Sequence, residues 1–275
     1  MSSIHRELEK ILPKDCKGPV FIHSDLLKSS LFVKPTINKE TTLVKHLQFL
    51  GNLFEDRKLW FPCFNYQFPK TGIYDVKNSI CELGPLPEYY RCNVATWRTI
   101  DPIFSACGVD ENPCDEIPHK EMNAFDEVSI FAKLVKQNGV VFFYGASFSS
   151  ATIIHHIEYI IKPLYRYNKV MSGMIITENV KHSIKYNYHM RPFGFHLVYD
   201  WDRLLTDLQK EGIARSINNG FATSIPATTL KKYWLERLNK DPYYLLDKTS
   251  KEWVIPKVEE LGRRFKITDF EQTNF

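Results

Sequence analysis

Residues 139–145 read GVVFFYG, with four consecutive bulky apolar residues and no polar alternation. So short and apolar a run suits a strand covered on both faces, of the kind found at the centre of a parallel or mixed sheet. It also constrains the next twenty residues. The chain leaves through Gly145-Ala146-Ser147, small residues that permit a tight turn and the close approach of another molecule. It then enters ATIIHHIEYIIKP, whose apolar spacing is helical. A buried strand turning sharply into a helix is the repeating unit of an α/β fold.

The rest of the chain fits around that unit. Helical periodicity is read over 1–12, with Ile4, Leu8, Ile11 and Leu12 on one side, and over 41–54, with Gly51 near its end. Strands are expected at 19–24 and at 58–66, the latter interrupted by Pro62. Residues 67–100, rich in Pro, Gly, Asn and Ser, read as a long irregular segment, and ordered loops of that length are usually functional. A short helix is expected near 101–107 and others at 126–137 and 150–162. Residues 171–191 alternate around Glu178-Asn179 as a β-hairpin. Two more helices complete the pattern: 200–212, with Asp200 as N-cap and Gly212 as its stop, and 226–240, opened by Pro226. These elements predict a single α/β domain over 1–275, with a mixed central sheet flanked by helices.

Composition narrows the function. With 275 residues, 44% of them hydrophobic, the chain can bury a sizeable core. No apolar run approaches the ~18 residues that a membrane span requires. The charged, amphipathic start is unlike a signal peptide, so a cytoplasmic protein is expected. Six cysteines, at 16, 63, 81, 92, 107 and 114, form no CxxC pair and are read as reduced structural thiols without a metal. The net charge of +4 is spread out, without the Lys/Arg clusters of a nucleic-acid binder, and suits an anionic small molecule.

The helix after the buried strand carries the chemistry. Ser149 or Ser150 can cap it, and its N-terminal N–H groups favour negative charge. No lysine comes after the small residues, so this is not a Walker loop. Ile153, Ile154, Ile157, Ile160 and Ile161 form a broad apolar stripe, while His155 and Glu158, three apart, project from one side. A histidine titrates near working pH and is the first candidate for a general base, and a carboxylate beside it can fix its tautomer. The same spacing fits a capped core helix with satisfied histidines, and these residues alone leave both readings open.

Three segments in order change the balance: SICELGPLPEYYR (79–91), WRTIDPIFSACG (97–108) and YGASFSSATIIHHIE (144–158). Together they resemble the antibiotic N-acetyltransferase family, typified by aminoglycoside 3-N-acetyltransferases. The likeness runs through Ser79, Gly84, Glu88 and Arg91, then Arg98, Thr99, Asp101, Pro102, Ser105 and Gly108, then Gly145, Thr152, His155 and Glu158. The earlier PVFIHSDLLKSS (19–30) is similar to the family's strand–turn segment through His23 and Ser24.

The resemblance implies an acetyl-CoA-dependent N-acetyltransferase with a fold unlike that of the GNAT enzymes, working without a metal as a monomer or homodimer. It implies His155 as catalytic base and Glu158 as its acidic partner. The Thr152 hydroxyl or a backbone N–H of the 145–150 turn would meet the oxyanion. Coenzyme A would lie along His23, Ser24, Arg98, Thr99, Ser105 and Gly145. His156 is left as a structural neighbour, and Trp60, Trp97, Trp201, Trp234 and Trp253 are assigned to packing.

Departures from the family pattern fall on the acceptor side. The family's Arg-Ser-x-His-Pro reads RTIDP here, with Thr99 for the serine and Asp101 for the histidine. Phe148 and Ser149 stand where antibiotic-modifying members carry polar groups, and Ala151 replaces an asparagine. Tyr66, Asp101, Phe148, Ser149 and Arg191 are therefore expected to bind the acceptor. A net-positive chain is poorly matched to a polycation. The expected acceptor is an amino sugar, carried on a nucleotide diphosphate for surface-polysaccharide synthesis, with Arg91, Lys181, Lys185 and Arg191 as candidates for its phosphates. The alternatives are aminoglycoside acetylation conferring resistance, and a non-catalytic protein that binds coenzyme A or a sugar.

Overall fold

In a computed structural model, which describes residues 3–217 and 220–271, strand and helix alternate for most of the chain. Helix α1 (Ser3–Ile11) leads to β1 (Val20–Ser24), the single turn α2 (Leu26–Ser29), α3 (Lys39–Leu53) and β2 (Leu59–Pro62). Then come α4 (Phe68–Thr71), β3 (Ile73–Asp75), α5 (Pro85–Asn93), β4 (Trp97–Arg98), β5 (Ala106–Gly108) and β6 (Glu121–Asn123). Next are α6 (Ile130–Lys136), β7 (Val140–Tyr144), α7 (Ile153–Ile161), β8 (Tyr167–Thr177) and β9 (Val180–Met190). The chain continues through α8 (Trp201–Lys210), β10 (Arg215–Ile217), β11 (Ala222–Pro226), α9 (Ala227–Lys240) and α10 (Lys248–Leu261).

Seven strands form the main sheet in the order β10-β11-β7-β1-β2-β5-β4. The apolar run lies near its centre as β7, parallel to β1 in the register Val20↔Val140 to Ser24↔Tyr144 and antiparallel to β11. All five of its residues are buried because both faces are covered. Val141 and Phe143 enter one core with α6, α7 and α9, while Phe142 and Tyr144 enter the other with α1, α3 and α5. That split is the strand's period of two.

β1 pairs with β2 on one side and β7 on the other, both parallel. The connections from β1 to β2 and from β7 to β11 therefore diverge at the carboxyl ends of β1 and β7. In open α/β sheets such a switch point leaves a crevice for ligands.

A second sheet, β3-β8-β9-β6, packs against one of these cores. Its centre is the expected hairpin, longer than the sequence pattern indicated, with eleven residues in each strand. Glu178 and Asn179 both take positive φ, 48° and 67°, as a two-residue turn matched to strand twist requires.

Four expectations are corrected. Residues 67–100 are not structureless: they hold two short helices and two short strands. No helix forms at 101–107, because the Asp101 carboxylate accepts the N–H groups of Ile103 (2.9 Å) and Phe104 (2.6 Å) in a turn, and β5 begins at Ala106. The helix expected from 126 starts at Ile130, where the Ser129 side chain caps the Ala132 N–H. The helix expected over 150–162 is preceded by a separate 3-10 turn at Phe148–Ser150, capped by Ser147, and begins at Ile153.

Candidate active site

A groove runs across the carboxyl ends of β1 and β7. One part, about 400 Å³, lies between Ser24-Asp25-Leu26, the 83–87 segment and Ala146-Ser147. A second part, about 320 Å³, shares Leu83 with it and contains His23, Tyr66, Ser149, Thr152, His155 and Arg191. Gly145 makes this shape possible. At φ +74° it leaves β7 so close to the Asp25–Ser29 turn that a Cβ would sit 2.5 Å from the Asp25 carbonyl and 2.8 Å from the Ser29 nitrogen.

His155 stands in the second part with 18% of its side chain exposed. Behind it Glu158 is fully buried, with Oε2 at 3.3 Å from His155 Nδ1. Tyr199 donates to Glu158 Oε2 at 2.6 Å, and its oxygen lies 3.2 Å from the same Nδ1. Tyr165 donates to Glu158 Oε1 at 2.8 Å. Arg166, also buried, pairs with Glu158 Oε2 at 3.3 Å.

Burial, reinforced by the Arg166 charge, holds the His155 imidazole down at about 4 despite Glu158. It is a neutral imidazole at neutral pH. Burial alone would raise the Glu158 carboxyl, but Arg166, His155 and Tyr199 outweigh it and hold it well below the carboxylate range. An uncharged base backed by a fixed carboxylate is an arrangement suited to taking a proton. His156 is different: it is fully buried, with Nδ1 on the Phe125 carbonyl at 2.8 Å.

The other sequence-derived candidates divide. His23, at the end of β1, lines the pocket, stacks on Phe143 and is held down at about 3 by burial, with Nε2 lacking a partner among the described residues. Ser24 lines the first part of the groove. Thr152 lines the second, its hydroxyl turned to the Ser150 carbonyl at 3.1 Å. Tyr66 is 45% exposed at the pocket wall, its N–H taken by the rim carboxylate of Glu82. Arg191 is held by the Leu197 carbonyl at 2.6 Å and lies 4.4 Å from the Tyr199 ring centre.

The Arg98–Ser105 segment lines neither part of the groove. Arg98 donates to the carbonyls of Cys63 (2.7 Å), Val76 and Ser79 and to the Ser105 hydroxyl, while Thr99 accepts the Ala106 N–H at 2.9 Å. Asp101 turns away to Tyr186 at 2.8 Å. Their polar groups are spent on holding loop to sheet. Phe148 points inward, packed on Phe143, Trp201 and Trp234. Trp201, assigned to packing, also reaches the pocket wall. Arg91 is engaged by Glu88 at 2.7 Å, and Lys181 and Lys185 stand exposed on β9, outside the groove. Sequence reasoning missed Tyr165, Arg166 and Tyr199, which no local pattern marks.

Among the described residues no group of three or more His, Cys, Asp or Glu side chains gathers in a way that would hold a metal, and no helix is long and apolar enough to cross a membrane. The sequence profile of the family described as aminoglycoside 3-N-acetyltransferase matches residues 37–238. No curated protein matches the chain. Solved structures share the fold at low identity. AAC-IIIb, in a binary complex with CoASH, is 16% identical over 86% of this chain and 96% of its own, with a TM-score of 0.68. A mutant of aminoglycoside acetyltransferase AAC(3)-IVa in complex with apramycin is 15% identical over 87% and 93%, with a TM-score of 0.64. YokD from Bacillus subtilis is 15% identical over 86% and 94%, also with a TM-score of 0.64.

Proposed function

The chain belongs to the aminoglycoside 3-N-acetyltransferase family, an acyltransferase family with acetyl-CoA as co-substrate, and on that premise we propose that it acetylates the primary amine of a nucleotide-linked amino sugar. His155 is the general base. Its neutral imidazole takes the amine proton as the nitrogen attacks the thioester carbonyl, and Glu158 supports the imidazolium through Nδ1. A thioester is already activated, so no protein nucleophile is needed. The Thr152 hydroxyl lines the same pocket and, by rotating away from the Ser150 carbonyl, would meet the developing oxyanion. Coenzyme A runs along Ser24 and the turn that Gly145 shapes, in the first part of the groove, and delivers its thioester to the second, where His23 stands with His155.

The observation that carries the acceptor class is the charge of the pocket wall. No carboxylate lines it, and Arg191 is its one fixed charge among the described residues. The rim acid Glu82 is already taken by the Tyr66 N–H and by the Gln67 side chain at 2.7 Å. Such a wall suits a single amine attached to an anion, with Arg191 on the phosphate, Ser149 as a polar contact and Tyr66 against the sugar. The family match favours a second reading, an aminoglycoside acceptor. Thiol release from acetyl-CoA, measured with nucleotide-linked amino sugars and with aminoglycosides side by side, separates the two. Turnover with the nucleotide-linked amines supports the proposal; turnover confined to aminoglycosides overturns the acceptor assignment and leaves the transfer chemistry standing.

A further inference from the structure

Arg166 lies eleven residues beyond His155 and is 1% exposed. Its guanidinium is forked. Nη1 pairs with Glu158 Oε2 at 3.3 Å and donates to the His189 carbonyl at 3.0 Å. Nη2 lies 3.2 Å from His155 Nδ1 and 3.5 Å from the Tyr199 hydroxyl. A permanent cation at hydrogen-bond distance from the imidazole is not what a simple His–Glu pair contains. It works against the positive charge that the base must briefly carry.

Three groups therefore meet at Nδ1. Glu158 can only accept. Tyr199 directs its proton to Glu158 and so offers a lone pair to the ring. These two favour a proton on Nδ1, which leaves Nε2 with its lone pair. Arg166, which can only donate, competes for Nδ1 from 3.2 Å and opposes a second proton on the ring. Beyond these, Arg191 adds positive charge from the end of β9, where Tyr188 and His189 also lie within electrostatic reach of the cluster, and Tyr165 completes the carboxylate's donors.

Resting on the reading of His155 as base, we propose that Arg166 is a positioning residue for the transfer: forked between Glu158 and His155 Nδ1, it keeps the imidazole neutral, while the acceptors Glu158 and Tyr199 leave Nε2 free, and it makes the imidazolium formed in each turnover a short-lived, strong acid. The proton balance then closes within the site. Nε2 takes the proton from the amine as the N–C bond forms. As the C–S bond breaks, that proton passes to the coenzyme A thiolate, and His155 returns neutral.

The test is a 15N NMR titration of the His155 imidazole in the wild type, Arg166→Gln and Arg166→Lys, beside kcat against pH with a single acceptor. A common acceptor cancels the titration of its own amine. In Arg166→Gln the His155 protonation midpoint is expected to rise by about one pH unit or more, as removal of an adjacent like charge does. The acid limb of kcat is expected to rise with it, while KM for acetyl-CoA stays unchanged, and Arg166→Lys should return both toward wild type. If Arg166→Gln does not fold with Glu158 left unpaired, Glu158→Gln is compared with the Arg166→Gln/Glu158→Gln double variant, and the double variant should have the higher midpoint. Midpoints that do not move, or a wild-type resonance showing the proton on Nε2, overturn the proposal. Full activity in His155→Ala would instead remove the base assignment on which it rests, an outcome the NMR midpoints do not share.

Discussion

At the scale of single residues, the site combines groups that lie close in sequence with groups that do not. His155 and Glu158 were legible because an i,i+3 spacing puts two side chains on one helix face whatever the tertiary structure does. Arg166, Tyr165 and Tyr199 were not, since Tyr199 reaches the carboxylate from 41 residues away and only packing of the loop before α8 brings it there. Phe148 failed for a related reason: its neighbours Trp201 and Trp234 come from later helices and draw it into the core. Arg191 yields the prediction belonging to this scale. Held by the Leu197 carbonyl, its guanidinium stays fixed at the pocket wall. Arg191→Gln should raise KM for a nucleotide-linked amine on the order of tenfold or more, the worth of one charge-assisted hydrogen bond, and leave KM for acetyl-CoA unaltered. Steady-state kinetics with each substrate varied in turn checks this; a change confined to acetyl-CoA would place Arg191 on the wrong ligand.

At the scale of elements, two junctions matter: one shapes the groove and one holds loop to sheet. Gly145→Ala forces a Cβ against the main chain of the Asp25–Ser29 turn at a positive φ. A cost of about 1–3 kcal/mol is expected in denaturant unfolding, with a loss of kcat/KM as the groove wall shifts. The Arg98 staple supplies the second prediction. Arg98→Ala leaves the carbonyls of Cys63, Val76 and Ser79 without their donor, so stability should fall by about 2–4 kcal/mol. If Arg98 instead serves coenzyme A, as the family likeness implied, KM for acetyl-CoA would rise while stability held. The sequence pattern located β1, β7 and the long hairpin because each carries a strict strand signal. It left 67–100 blank because α4, β3 and β4 are too short to show a period, and because Pro85 and Pro87 mask the start of the nine-residue α5. It also left α10 unread: Pro256 interrupts the pattern, and only Ser250, Val254 and Val258 mark its buried face.

At the scale of the whole molecule, the fold buries an unusual set of neutral histidines. Burial holds His23 and His189 down at about 3 and His155 at about 4, and lowers His46 and His156 as well. Unfolded, each takes a proton near pH 6.5. Below that pH the unfolded chain binds more protons than the folded one, so the stability these groups confer is complete above about pH 6.5 and is lost progressively toward their folded values. Asp101, raised to about 6 by burial, and Asp126, raised by burial too, act in the opposite sense, but as two groups against five. The melting temperature should therefore fall steadily from pH 7 to pH 5; a flat profile would show that these imidazoles are not held neutral. The same enclosed, uncharged character underlies the proposed role of His155 as base. The most direct measurement is thiol release from acetyl-CoA by His155→Ala, with circular dichroism confirming that the variant is folded. Loss of a positioned base is expected to lower kcat by about 10²–10⁴-fold with KM for acetyl-CoA little changed, and turnover within a few-fold of wild type would contradict the account.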